Sequence, residues 1–117
     1  MNGLIIKEPW IDLILKGIKA WEIRGSNTTI RGTIALIKSG TGCIFGTAEL
    51  IDTKRLMAKE FILYEKEHCV KNCELPYLKT YAWILKNPKK FDSPIPYTHP
   101  KGAVIWVKLN DIVINGD

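Results

Sequence analysis

G-I-K-A-W-E-I-R-G, residues 17–25, brackets Lys19, Glu22 and Arg24 between two glycines and sets them among Ile18, Ala20, Trp21 and Ile23. The segment reads as a strand from Lys19 to Arg24. Side chains alternate along a strand, so Trp21 and Ile23 are expected to face the core while Glu22 and Arg24 share the other face. Two readings account for so much charge beside so much apolar surface: a solvated strand edge carrying ion pairs of little energetic value, or a polar site at the mouth of a small barrel. Upstream, Pro9 suits the first turn of a helix, and Trp10, Leu13, Ile14 and Gly17 fall at the i, i+3, i+4, i+7 spacing of one face. Gly17 then ends the helix in the left-handed conformation. The charged strand therefore leaves a tight helix-to-strand corner.

Outward from this corner the chain is punctuated by glycine and proline. Leu4-Ile5-Ile6 suits a buried strand, Gly25-Ser26-Asn27-Thr28 a turn, and Gly32 opens the apolar run Thr33 to Lys38. Ser39-Gly40-Thr41-Gly42 is a second turn before a strand from Cys43 to Asp52, in which Gly46 signals a bulge or a close backbone approach. Lys54 to His68 has helical spacing at Leu56, Met57, Phe61 and Tyr64 and predicts a second helix. Tyr81 to Leu85 reads as a strand ended by Asn87-Pro88. Pro88, Pro94, Pro96 and Pro100 predict an ordered loop from Pro88 to Gly102, because proline supplies no ladder donor. Ala103 to Leu109 is the expected closing strand. Five or six short strands with two helices point to an α+β, mostly β chain: a small barrel with helices across its openings.

The chain of 117 residues is long enough for one core and too short for two, so a single domain over 1–117 is expected. No apolar run approaches the length of a membrane span. M-N-G-L-I-I-K-E lacks the charged region, apolar core and cleavage site of a secretory signal, and a cytoplasmic protein is expected. The net charge of +5 is spread along the sequence. A distributed excess of this kind suits a folded surface that meets phosphate, although many basic proteins bind no nucleic acid. Cys43, Cys69 and Cys73 are an odd number and read as reduced thiols. His68-Cys69, Cys73 and His99 form no standard zinc spacing, and small buried thiols are the plainer explanation. No P-loop or dinucleotide-type glycine loop is present. Neither a metal nor a cofactor is expected.

The order of the pieces is more specific than any one of them. A short strand, then E-P-W-I-D-L-I-L-K-G-I-K-A-W-E-I-R, then I-R-G-T-I-A-L-I-K-S-G, resembles the ASCH domain of the PUA-like superfamily. Gly17, Lys19, Glu22 and Arg24 match its Gly-x-Lys-x-x-Glu-x-Arg signature. Y-A-W-I-L-K-N-P and P-I-P-Y-T-H-P-K-G-A-V-I-W-V-K-L are similar to the second half of small members, and the likeness is weakest between Thr53 and Leu78. The resemblance implies a PUA-like β-barrel with a cleft beside the first helix, and RNA or modified nucleosides as ligands. It also implies a second activity, since one branch deacylates N4-acetylcytidine with a Lys, a Thr and a Glu. Lys19 falls at the Lys position; Glu22 stands where that branch has Thr.

On these grounds Lys19, Glu22, Arg24 and Ser39 are expected to line the cleft. Arg24 offers a planar fork to phosphate or a base edge, and Glu22 orients it. Lys19, desolvated beside Trp10 or Trp21, would act as a base or nucleophile, with Glu22 orienting it as the second catalytic residue. Trp10 is a candidate for stacking on a base, and Arg31 and Lys38 for phosphate contacts from the rim. Tyr97, His99 and Lys101 belong to a loop able to cover the cleft. A nucleic-acid-binding module, a small amidohydrolase or ribonuclease, and a domain that binds a protein partner are the three functional readings.

Overall fold

The structure is a computed structural model, and it describes residues 1–72 and 74–110. Six strands and three short helices follow one another as β1 (Asn2–Ile6), α1 (Trp10–Leu15), β2 (Trp21–Arg24), β3 (Gly32–Lys38), β4 (Cys43–Leu56), α2 (Ala58–Leu63), α3 (Glu65–His68), β5 (Thr80–Pro96) and β6 (Trp106–Lys108). The strands form one sheet in the order β2-β5-β4-β3-β1-β6. Among the described residues only β1 and β3 pair in parallel. In a flat sheet β2 and β1 would lie four strand spacings apart, about 19 Å. Yet Arg24 Nη2 on β2 donates to the Ile5 carbonyl on β1 at 2.8 Å. The sheet is therefore rolled nearly into a barrel, with β2 and β6 as edges that are not joined into a closed ladder.

The alternation along β3 and β4 divides the interior. Leu4, Ile6, Ile34, Leu36, Ala48, Leu50, Trp83 and Leu85 pack with Ile11, Ile14 and Leu15 of α1 in the main core. The buried stripe of α1 is thus Ile11, Ile14 and Leu15, one position off the expected face, and Trp10 and Leu13 are only half-buried. Gly17 takes the left-handed conformation as expected, with φ +78°. Trp21 and Ile23 do face inward, but toward a separate cluster of Leu56, Phe61 and Ala82 beneath α2. The face carrying Glu22 is the one turned to the main core, since Glu22 pairs opposite Trp83.

Four expectations about the later elements are corrected. The strand read as ending near Asp52 runs to Leu56, and the single helix beyond it is two short ones, α2 and α3. The proline-rich segment is not a loop up to Pro96 but the continuation of β5. Glu49 pairs with Lys86 and Thr47 with Lys89, so Asn87 and Pro88 together oppose Ala48 alone; a second bulge lets Phe91 to Pro94 oppose Phe45. Prolines lodged in bulges need donate nothing to the ladder. The closing strand is also shorter than expected, Trp106–Lys108. Gly46 lies between these bulges, where an added Cβ would stand 2.2 Å from the Lys89 carbonyl oxygen. Among the described residues no helix is long and apolar enough to cross a membrane.

Candidate functional site: a charged cleft at the open seam

The corner after α1 is fixed by backbone hydrogen bonds before any side chain takes part. Beyond Gly17, the N–H groups of Ile18 and Lys19 both donate to the Leu13 carbonyl, at 2.9 and 3.1 Å. Ala20 N–H donates to Glu67 of α3, and the Ala20 carbonyl accepts from Leu85 of β5. Anchored on both sides, the chain turns the Lys19 side chain into the interior, where it is only 2% exposed. Its Nζ donates to the His68 carbonyl at the end of α3, stands 3.7 Å from Glu22 Oε1 and lies 4.9 Å from the Trp10 ring centre. Burial pushes the Lys19 amine below the usual lysine range, against the opposing pull of Glu22.

Glu22, itself 5% exposed, is shared by two cations. Arg24 donates to its Oε2 from Nε at 3.1 Å and from Nη2 at 2.9 Å. The guanidinium also lies over Trp83, 5.5 Å from the ring centre. With Nε and Nη2 held, Nη1 is the edge left to a ligand. No buried side-chain nitrogen or oxygen lacks a partner among the described residues. Two basic groups of one motif thus share a single carboxylate, a formal charge of +1, held in place by β1, β5 and α3.

These groups line a cleft of about 310 Å³ at the seam where β2 approaches β1. Trp10, Lys19, Glu22, Arg24 and Ser39 all border it. Ser39 is fixed by its N–H donating to the Ile6 carbonyl at 2.9 Å. Arg31 and Lys38 are not brought to the cleft. Arg31 bonds Thr28, Ile30 and Thr53, while Lys38 pairs with Asp12 at 3.0 Å and covers Phe45. Sequence reasoning missed Lys7 at the mouth, Val70, Pro76 and Tyr77 on the far wall, and Val104. Val70, Pro76 and Tyr77 belong to the excursion between β4 and β5, whose position depends on contacts with no local signature.

His68 supports this wall. It is fully buried and stacked on Phe61 at 4.3 Å between ring centres. Nδ1 accepts the Val70 N–H at 2.9 Å, so the ring is neutral and Nε2 donates to the Phe61 carbonyl. Burial holds its pKa below the usual 6.5. The unfolded chain takes up a proton below about pH 6.5 that the native ring refuses, so stability falls as pH drops through that value. Melting temperatures between pH 7.5 and 5.5 should decline; a flat profile would remove His68 from this role. Cys69 Sγ lies 3.7 Å from the Ile18 carbonyl, and Cys73 falls outside the described residues. His99 is engaged with Tyr97 and Ala103.

Comparison with known proteins agrees with this architecture. The ASCH protein of Zymomonas mobilis superposes with a TM-score of 0.72 at 14% identity, covering 94% of this chain and 87% of that one. Two single-residue variants of the same protein give TM-scores of 0.72 and 0.71, also at 14% identity, with 94% of this chain and 88% and 90% of theirs covered. At this identity the likeness speaks for the fold. No curated protein matches the chain. The sequence pattern of the ASCH domain matches residues 4–95, which run from within β1 through nearly all of β5 and include the whole Lys19–Glu22–Arg24 motif. The chain belongs to the ASCH domain family.

Proposed function

We propose that the seam cleft binds RNA or a nucleotide-like ligand, within a single domain. The observation that carries this reading is the shared carboxylate: Lys19 and Arg24 both pair with Glu22, whose single charge offsets only one of theirs, which leaves a formally positive, preorganised site with one guanidinium edge open. Such an edge suits a phosphate or a base carbonyl. Lys7 adds positive charge at the mouth, and Trp10 and Tyr77 give flat apolar surface. A volume of about 310 Å³ is at the small end of ligand sites, the scale of one nucleoside.

Titration calorimetry with nucleotides and short RNAs tests the reading. Arg24→Ala should weaken binding at least about tenfold, the scale of one charge-assisted hydrogen bond. Lys90→Ala, exposed on β5, should change it less than about twofold. With few charges at the cleft, the log–log salt slope should be shallow, about −1 to −2. Equal losses at the two positions would mean diffuse surface attraction and no dedicated cleft.

The burial of Lys19 favours a second reading, hydrolysis of an acylated exocyclic amine such as that of N4-acetylcytidine. A lysine with a lowered pKa holds more neutral amine near neutral pH. There it takes a proton from water as the water oxygen attacks the acyl carbon, and returns it to the departing nitrogen. Arg24 Nη1 or the Ser39 hydroxyl faces the developing oxyanion. Lys19→Arg should abolish turnover while keeping most of the affinity, because arginine stays protonated. Wild-type protein that binds such nucleosides without consuming them leaves binding as the function.

A further inference from the structure

A second cavity of about 410 Å³ adjoins the cleft and shares Ile5, Ser39 and Val104 with it. Its own walls are Gly40, Gly42, Tyr97, His99 and Ala103. The two spaces differ sharply in chemistry. Lys7, Lys19, Glu22 and Arg24 line the first, whereas the second carries no Lys, Arg, Asp or Glu. Its aromatic wall is held rigid. His99 Nε2 donates to the Ala103 carbonyl at 2.9 Å, which leaves Nδ1 to accept from the Tyr97 hydroxyl at 2.7 Å. The Tyr97 N–H is tied to the Gly42 carbonyl, so this wall is pinned to the turn after β3.

A charged compartment joined through an exposed serine to an uncharged, aromatic-walled one matches the repeat of a nucleic-acid strand, in which a phosphate links one nucleoside to the next. We infer that the second cavity is a subsite for an adjoining nucleotide, and that the ligand is a single-stranded oligonucleotide of at least two residues. A free nucleoside would leave this cavity empty. In the bound strand, the first nucleotide and its phosphate sit at Arg24 and Lys7, the linking phosphate passes Ser39, and the next base lies against Tyr97 and His99. Gly40 and Gly42, which border the cavity, present no side chain where the strand passes. This inference rests on the cleft being a nucleotide site.

The test compares two probes that differ by one nucleoside: nucleoside 3′,5′-bisphosphates (pNp) and 5′-phosphorylated dinucleotides (pNpN), titrated calorimetrically into the full chain. In wild type pNpN should bind about tenfold more tightly, the scale of one base stacked on an aromatic wall. Ala103→Phe fills the second cavity without touching the first; it should bring pNpN down to the affinity of pNp and leave pNp within about twofold of wild type. His99→Ala, at an exposed position, should reduce the pNpN advantage if Ala103→Phe does not fold. Equal affinity of the two probes in wild type overturns the subsite while leaving the cleft intact, and so does a variant that weakens both probes alike. Binding of neither probe overturns the nucleotide reading itself.

Discussion

Gly46→Ala is expected to lower the stability of the protein by more than about 4 kcal/mol, a size reserved for a few mechanisms. At this point of β4 the backbone of β5 comes so close that a Cβ would stand 2.2 Å from the Lys89 carbonyl oxygen and 2.7 Å from Leu15 Cδ2. The leucine can move, but the carbonyl belongs to the ladder between two bulges and cannot be displaced without unpairing them. Relief would therefore come from separating β4 and β5, the longest strand pair in the sheet. Urea unfolding of Gly46→Ala beside Gly40→Ala provides the comparison. Gly40 is left-handed with open space around it, so its substitution strains only the backbone, at a cost of about 1 kcal/mol. Similar losses at the two glycines would show that the close approach is not a constraint.

Glu22→Gln should cost about 3 kcal/mol, the scale for removing one partner of a buried ion pair. The amide retains the shape, and its oxygen at the Oε2 position still accepts from Arg24 Nε and Nη2. What it loses is the charge that two cations depend on, with Lys19 nearly inaccessible to water. Lys19 would then be driven further toward its neutral form, since Glu22 is the main influence holding its proton. Denaturation at pH 7 measures the loss. Combining Glu22→Gln with Arg24→Ala should cost less than the sum of the two single changes, because the second removes a charge that the first has stranded. Strict additivity would mean that the carboxylate and guanidinium do not act as a pair.

How much of this was legible in the sequence depends on the range of the interaction concerned. The helix-to-strand corner was readable because its determinants are adjacent: Gly17 at positive φ, and charged side chains at alternate positions of β2. Gly46 announced a close approach without revealing what approaches it. The course of β5 through Pro88 and Pro94 was not readable, since a proline stops a strand unless a bulge opposite absorbs it, and the bulge is set by register against β4. The face of α1 was misjudged by one position because Trp10 and Leu13 are as apolar as the buried Ile11, Ile14 and Leu15. Nor did the charge pattern separate Arg24, which is drawn into the seam, from Arg31, which bonds its own turn. The supporting wall at His68 and Val70 becomes adjacent to Lys19 only after α3 docks on the corner.

The central claim is that a nucleotide is received at the Lys19–Glu22–Arg24 seam and not on the exposed basic surface around Arg31 or Lys90. Amide chemical-shift mapping of the 15N-labelled protein during titration with nucleoside 3′,5′-bisphosphates tests it most directly. The account predicts saturable shifts at Ile5, Lys7, Glu22, Arg24 and Ser39, with little change at Arg31, Thr53 and Lys90. Saturable shifts centred on Arg31 or Lys90, or no saturable shift at the seam, would contradict it.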